Sequence, residues 1–93
     1  MSYYVYVLGA YKNSKFTTYV GYTNNLKNRL NLHNKGEGAK FTRGRRWKIL
    51  YSEKYSIKNE AISREYYIKK NRKFRNLIRN KFKLKVENFN NKN

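Results

Sequence analysis

The sequence predicts a small α+β domain, a three-stranded antiparallel sheet flanked by helices in the order β-β-α-β-α-α. Three observations lead there. Residues 3–8 (YYVYVL) and 17–22 (TTYVGY) are runs rich in β-branched and aromatic side chains, separated by turn residues, as in an antiparallel hairpin. Three later stretches place apolar residues at helical spacing. A chain of 93 residues holds one small core and has no room for two.

Along the first strand, Tyr4, Tyr6 and Leu8 share one face and Tyr3, Val5 and Val7 the other. Gly9, Asn13 and Ser14 carry the turn chemistry of the connection. A helix follows, capped by Thr23 or Asn24, with Leu26, Leu30 and His33 on its inner side and Gly36 as its stop. Residues 36–46 (GEGAKFTRGRR) form a basic loop with three glycines, and 47–52 (WKILYS) a third strand. Ser56 caps a second helix over about 57–71. A basic helix over 72–84 then carries Phe74, Leu77, Ile78 and Phe82 on its apolar side. The domain spans 1–84, and 85–93 reads as an Asn-rich flexible tail.

Charge points to the partner. Lys and Arg number 23 against 5 acids, a formal net charge of +18. Such a chain repels itself when compact, and a polyanion relieves that repulsion. Nucleic acid fits best, DNA first and RNA as an alternative, because 10 Tyr, 5 Phe and one Trp supply rings that can stack on bases. A membrane partner is not expected: no run approaches the ~18 apolar residues of a span, and residues 1–10 do not read as a signal peptide. The absence of cysteine excludes disulfides and thiolate metal sites and suits an intracellular setting, cellular or viral. There is no Asp. With Glu37, Glu53, Glu60, Glu65 and Glu87 as its only acids, the chain cannot build a carboxylate cluster around two metals.

Several polar residues stand where apolar ones belong. Arg29 and His33 lie one turn apart at the edge of the face marked by Leu26 and Leu30. Alone, they read as a snorkelling Arg and a hydrogen-bonded core His. Glu65 falls inside the stripe of Ile57, Ala61, Ile62 and Ile68, where a carboxylate is costly without a partner. Lys69 at i+4 would supply one, and a metal or a proton-transfer role is the alternative. Tyr6 and Tyr19 come from neighbouring strands. Gly21 in a strand signals a close approach, either of substrate or of a packed helix. Patterning allows Tyr6, Tyr19, Arg29 and Glu65 to meet on one side of the sheet.

This ordered set resembles the GIY-YIG nucleases, and in particular their short stand-alone members. Tyr4-Val5-Tyr6 and Tyr19-Val20-Gly21 look like the two signature strands, with Tyr4 where the family name has Gly. Arg29 and His33 within NLKNRLNLH match the next motif, GEGAKFTRGRR the following loop, and Ala61, Arg64, Glu65, Ile68 and Lys69 the carboxylate motif. The likeness covers about residues 3–80. It implies hydrolysis of a DNA phosphodiester with one divalent ion, Mg2+ or Mn2+, bound by Glu65, in repair- or recombination-type processing. Arg29 would stabilise charge on the phosphate, Tyr6 would orient or deprotonate the attacking water, Tyr19 would share that network, and His33 would support them. A Tyr base needs its pKa lowered, and the metal and the chain's positive charge push that way. Lys40, Arg43, Arg45 and Arg46 of the loop, with Lys73, Arg75 and Arg79 of the last helix, would grip phosphates without reading sequence. A catalytically inactive or partner-dependent nucleic-acid-binding module is the alternative.

Overall fold

The computed structural model describes residues 1–91, with side chains placed through residue 82. Strands β1 (Tyr3–Lys12), β2 (Lys15–Thr23) and β3 (Lys48–Tyr55) form one antiparallel sheet in the order β2-β1-β3. Helices α1 (Leu26–Asn34), α2 (Lys58–Lys70) and α3 (Arg72–Asn91) complete the expected β-β-α-β-α-α order. A 3-10 turn at Lys40–Thr42 interrupts the loop before β3.

The hairpin is longer than the sequence suggested. β1 and β2 pair without a break from Tyr4↔Thr23 to Lys12↔Lys15, leaving only Asn13 and Ser14 as the turn. Both have positive φ, 52° and 66°, which matches the twist that two-residue hairpin loops require. Gly9, expected in the turn, lies inside β1. A Cβ there would come within 2.6 Å of the Phe16 ring and 2.7 Å of Leu50, so packing rather than turning demands glycine. On its other edge β1 pairs with β3 from Tyr3↔Tyr55 to Gly9↔Lys48, with a register shift between Val7 and Leu8. β3 therefore runs past the expected end at 52 and includes Glu53 and Tyr55.

Neither expected cap of α1 is correct. Asn25 caps it, its side chain accepting from the Asn28 N–H at 3.1 Å, while the Thr23 hydroxyl accepts from the Asn25 N–H. Thr23 still belongs to β2, which rules out helix-entry geometry there. The stop at Gly36 holds: at φ 81° its N–H donates to the His33 carbonyl, and the Glu37 N–H reaches back to Leu32, a Schellman closure. At the start of α2, Ile57 occupies the cap position without a side-chain hydrogen bond, so Ser56 does not cap. Asn71 separates α2 from α3, and its Oδ1 accepts from the Phe74 N–H at 3.0 Å. Helix α3 continues past the expected end at 84 into the region read as a tail, of which residues 92–93 lie outside the described residues.

Each face of the sheet carries its own core. Val5, Val7 and Val20 meet Ala61 and Ile68 of α2 and Ile78 of α3 on one side. Tyr6, Leu8, Ala10 and Trp47 meet Leu26 and Leu30 of α1 on the other. The inner stripe of α2 is narrower than expected, because only residues 61, 65 and 68 share its sheet-facing side. Ile57, outside the helix, and Ile62, about 100° around from Ala61, are exposed at 55 % and 37 %.

Candidate active site

An open cleft of about 410 Å³ is lined by Tyr3, Tyr6, Tyr19, Gly21, Tyr22, Thr23, Asn24, Arg29, Lys58 and Glu65. Tyr6, Tyr19, Arg29 and Glu65, singled out in the sequence, thus come from β1, β2, α1 and α2 to one place. They do not gather on one side of the sheet. Tyr6, Tyr19 and the helix bearing Arg29 belong to the α1 face, whereas Glu65 stands on the helix packed against the opposite face. Residues from both faces line the cleft beside the edge strand β2. Tyr3, Tyr22, Thr23, Asn24 and Lys58 were missed as lining residues. Lys58 opens α2 outside its apolar stripe, so periodicity gave no signal for it.

Behind the cleft runs a buried polar chain. The Tyr6 hydroxyl lies 2.9 Å from His33 Nε2, and His33 Nδ1 lies 2.9 Å from the Thr42 hydroxyl. His33 is 1 % exposed and Thr42 fully buried. Two glycines leave room for this chain. A Cβ on Gly21 would strike the Tyr6 hydroxyl, and one on Gly38 would strike the His33 ring. The close approach marked by Gly21 is therefore to Tyr6 on the neighbouring strand, not to a packed helix. Burial pushes the Tyr6 phenol well above its ordinary pKa, with Tyr19 adding to the rise and Arg29 opposing it. Arg29 does push it down, as expected of the chain's positive charge, but desolvation of the phenolate outweighs that attraction. Burial, then Arg29, lowers the pKa of His33 and keeps it neutral near pH 7.

Tyr19 packs between ring systems, with His33 at 5.1 Å and Phe41 at 6.1 Å between centroids. Arg29 is half-buried and makes no ion pair among the described residues. Glu65 has the Lys69 partner expected at i+4, at 3.2 Å, and lines the cleft as well. It is the only carboxylate there, and among the described residues no group of three or more His, Cys, Asp or Glu could hold a metal. A single carboxylate such as Glu65 would suit a hard divalent ion that keeps most of its waters, not a fully caged one.

A second carboxylate, overlooked in the sequence, orients α2. Glu53 on β3 receives both Nε and Nη2 of Arg64 at 2.8 and 2.9 Å, and hydroxyl hydrogen bonds from Tyr51 and Tyr55. Burial alone would raise its pKa, but Arg64 and then the two tyrosines hold the carboxyl at about 2. The Arg64 guanidinium also lies over the rings of Tyr67 and Phe74, 4.9 and 5.1 Å from their centroids, tying β3, α2 and α3 together beside Glu65. The Tyr-x-Glu-x-Tyr spacing on one strand face was the available signal.

None of the expected phosphate-gripping residues lines the cleft. Lys40, Arg43 and Arg46 are exposed on the loop, and Arg45 lies over Phe41 at 5.6 Å. The loop is anchored: the Trp47 indole donates to the Thr42 carbonyl at 2.8 Å, and the Asn34 side chain brackets the Trp47 backbone. On α3, Lys73 is exposed, while Arg75 and Arg79 are half-buried, Arg79 over the Phe16 ring at 5.4 Å. Arg46 and Lys48 share a hollow with Phe16 and Phe82, so Arg46 of the loop and Arg79 of α3 both border the Phe16 ring.

Comparison with known proteins settles the family. Residues 2–81 match the GIY-YIG catalytic domain. The chain belongs to the GIY-YIG family. Similar relatives include the UPF0213 protein OB0043 of Oceanobacillus iheyensis, 47 % identical over 75 residues, which cover 80 % of this chain and 84 % of that one. The UPF0213 protein CPE1444 of Clostridium perfringens is 53 % identical over 68 residues, 72 % of this chain and 70 % of its own. The solution NMR structure of the UPF0213 protein BH0048 from Bacillus halodurans, 34 % identical, covers 84 % of this chain and 82 % of that one with a TM-score of 0.48. As a GIY-YIG domain the chain is of a nuclease family, with nucleic acid as the substrate class, and its UPF0213 relatives are bacterial. No helix among the described residues is long and apolar enough to cross a membrane.

Proposed function

We propose that this GIY-YIG protein is a metal-dependent endonuclease that hydrolyses DNA phosphodiester bonds, directed by DNA structure rather than sequence, in repair- or recombination-type processing. The observation that carries this reading is the convergence of Tyr6, Tyr19, Arg29 and Glu65 from four separate elements on one open cleft, in a chain of net charge +18. Hydrolysis needs a proton taken from water, charge stabilised at phosphorus, and an oxygen released. Arg29, half-buried and without a carboxylate partner among the described residues, donates its planar guanidinium to the phosphate oxygens as their charge grows. Tyr6 orients the attacking water and takes its proton, and the released oxygen takes a proton from solvent in the open cleft. Because burial opposes a standing phenolate, Tyr6 must give up its own proton as it accepts, and His33 Nε2 is 2.9 Å away to receive it. Tyr19 walls the same site. Glu65 holds Mg2+ or Mn2+, which when bound neutralises phosphate charge. Lys40, Arg43, Arg45, Arg46, Lys73, Arg75 and Arg79 hold flanking phosphates.

The competing reading, a protein that binds DNA or RNA without cutting it, is favoured by one observation: the sole carboxylate of the cleft already has a cation, Lys69. Supercoiled plasmid and flap and branched oligonucleotides, incubated with magnesium or chelator, separate the two. Magnesium-dependent cutting is expected of the wild-type protein; tight binding with no cutting in any divalent metal supports the binding-only reading.

A further inference from the structure

Proton accounting along the buried chain gives His33 a fixed tautomer. Thr42 has one hydroxyl proton, and the Ala39 carbonyl, 2.9 Å away, can only accept it. The same hydroxyl oxygen accepts from the Ala39 N–H at 3.3 Å. Its remaining contact, His33 Nδ1 at 2.9 Å, must then come from a nitrogen that carries hydrogen. A neutral imidazole holds one N–H, so Nε2 is bare and the Tyr6 hydroxyl donates to it. We infer that Thr42 is a positioning residue: it fixes His33 as the Nδ1–H tautomer, so that Nε2 stands ready to receive the Tyr6 proton.

The opposite tautomer would direct an N–H at the Tyr6 oxygen and leave the relay without an acceptor. Thr42 is suited to prevent this. It is fully buried, and its backbone carbonyl is held by the Trp47 indole. The 3-10 turn that carries it also bears Lys40 and Phe41, with Arg43 next in sequence. Thus the turn expected to hold DNA phosphates also sets the direction of proton transfer. The catalytic part of this inference rests on the nuclease reading above; the tautomer itself does not.

His33 is the only histidine of the chain, so nitrogen NMR of the full-length protein labelled with 15N-histidine reads it without assignment. The expected spectrum has hydrogen on Nδ1 in the wild-type protein and in Thr42→Ser, which keeps the hydroxyl. Thr42→Val should move the proton toward Nε2. It should also lower kcat by about 10- to 100-fold, while affinity for DNA in chelator stays within about twofold, and Thr42→Ser should restore kcat. A wild-type spectrum with hydrogen on Nε2 overturns the inference whatever the activity, and needs no variant to fold. A folded Thr42→Val that keeps the wild-type tautomer and kcat overturns it as well. If the wild-type tautomer is as inferred but no DNA is cut, the nuclease reading fails and the assignment of Thr42 stands.

Discussion

At the scale of single residues, the site is set as much by what is missing as by what is present. Gly38 leaves the space that the His33 ring fills, and His33 cannot retreat, being held at both ring nitrogens. Gly38→Ala is therefore expected to destabilise the fold by about 1–3 kcal/mol, the usual cost of overpacking. Urea unfolding checks this, and unchanged stability would mean the ring is not fixed. Tyr6→Phe keeps the ring and deletes only the hydroxyl. It should lower cleavage by about 10²–10⁴-fold, the range of a lost acid–base group, with DNA affinity in chelator unchanged. Arg29, His33 and Glu65 stood out because polar side chains on apolar faces violate periodicity, whereas Tyr6 and Tyr19, ordinary strand residues, stood out only for their hydroxyls and the family resemblance. Thr42 and Lys58 did not, because a loop residue and a helix-end lysine violate nothing that one sequence displays. The burial that outweighs the pull of Arg29 on the Tyr6 phenol was hidden for a related reason: net charge is visible in a sequence, whereas desolvation depends on packing.

Among the elements, the least legible feature was the clamp between β3 and α2. Glu53 lay one residue past the expected end of its strand, so its alignment with Tyr51, Tyr55 and Arg64 was hidden. The clamp predicts a pH dependence. The Glu53 pKa of about 2 in the folded chain is below its ordinary 4.5. Its contribution to stability is thus fully present above 4.5 and is lost as pH falls toward 2. For a pair screened by partial exposure this amounts to about 2 kcal/mol. Glu53→Gln should accordingly be less stable than wild type at pH 7 by about that amount, with the gap narrowing at pH 3 in urea titrations. A gap independent of pH would show that Glu53 is not held as a carboxylate. The hairpin and the caps of α1 and α2 were misplaced because local turn and cap preferences are weak beside cross-strand packing: Gly9 is a packing glycine, and the pairing of Thr23 in β2 leaves the cap to Asn25.

For the molecule as a whole, composition was the most direct guide. A net charge of +18 on 93 residues, with few acids, implies a polyanionic partner before any fold is known. Fold class and element order were equally legible, since alternation and helical spacing are strong over strands and helices of this length. Which basic groups lie near one another was not, because Arg46 of the loop and Arg79 of α3 meet the same Phe16 ring only in the folded chain. DNA binding in chelator should weaken steeply and linearly in log salt. Alanine at Arg43 or Arg46 should each reduce that slope by about one. A slope near zero would contradict phosphate-directed binding.

The central claim, that the cleft cuts DNA through Glu65, is tested most directly by comparing wild type with Glu65→Ala on supercoiled plasmid and on flap and branched oligonucleotides, in magnesium and in chelator. Cutting by the wild-type protein should require magnesium and disappear in the variant while DNA binding persists. Cutting that survives in Glu65→Ala, or wild-type protein that binds every substrate and cuts none in magnesium or manganese, would contradict it.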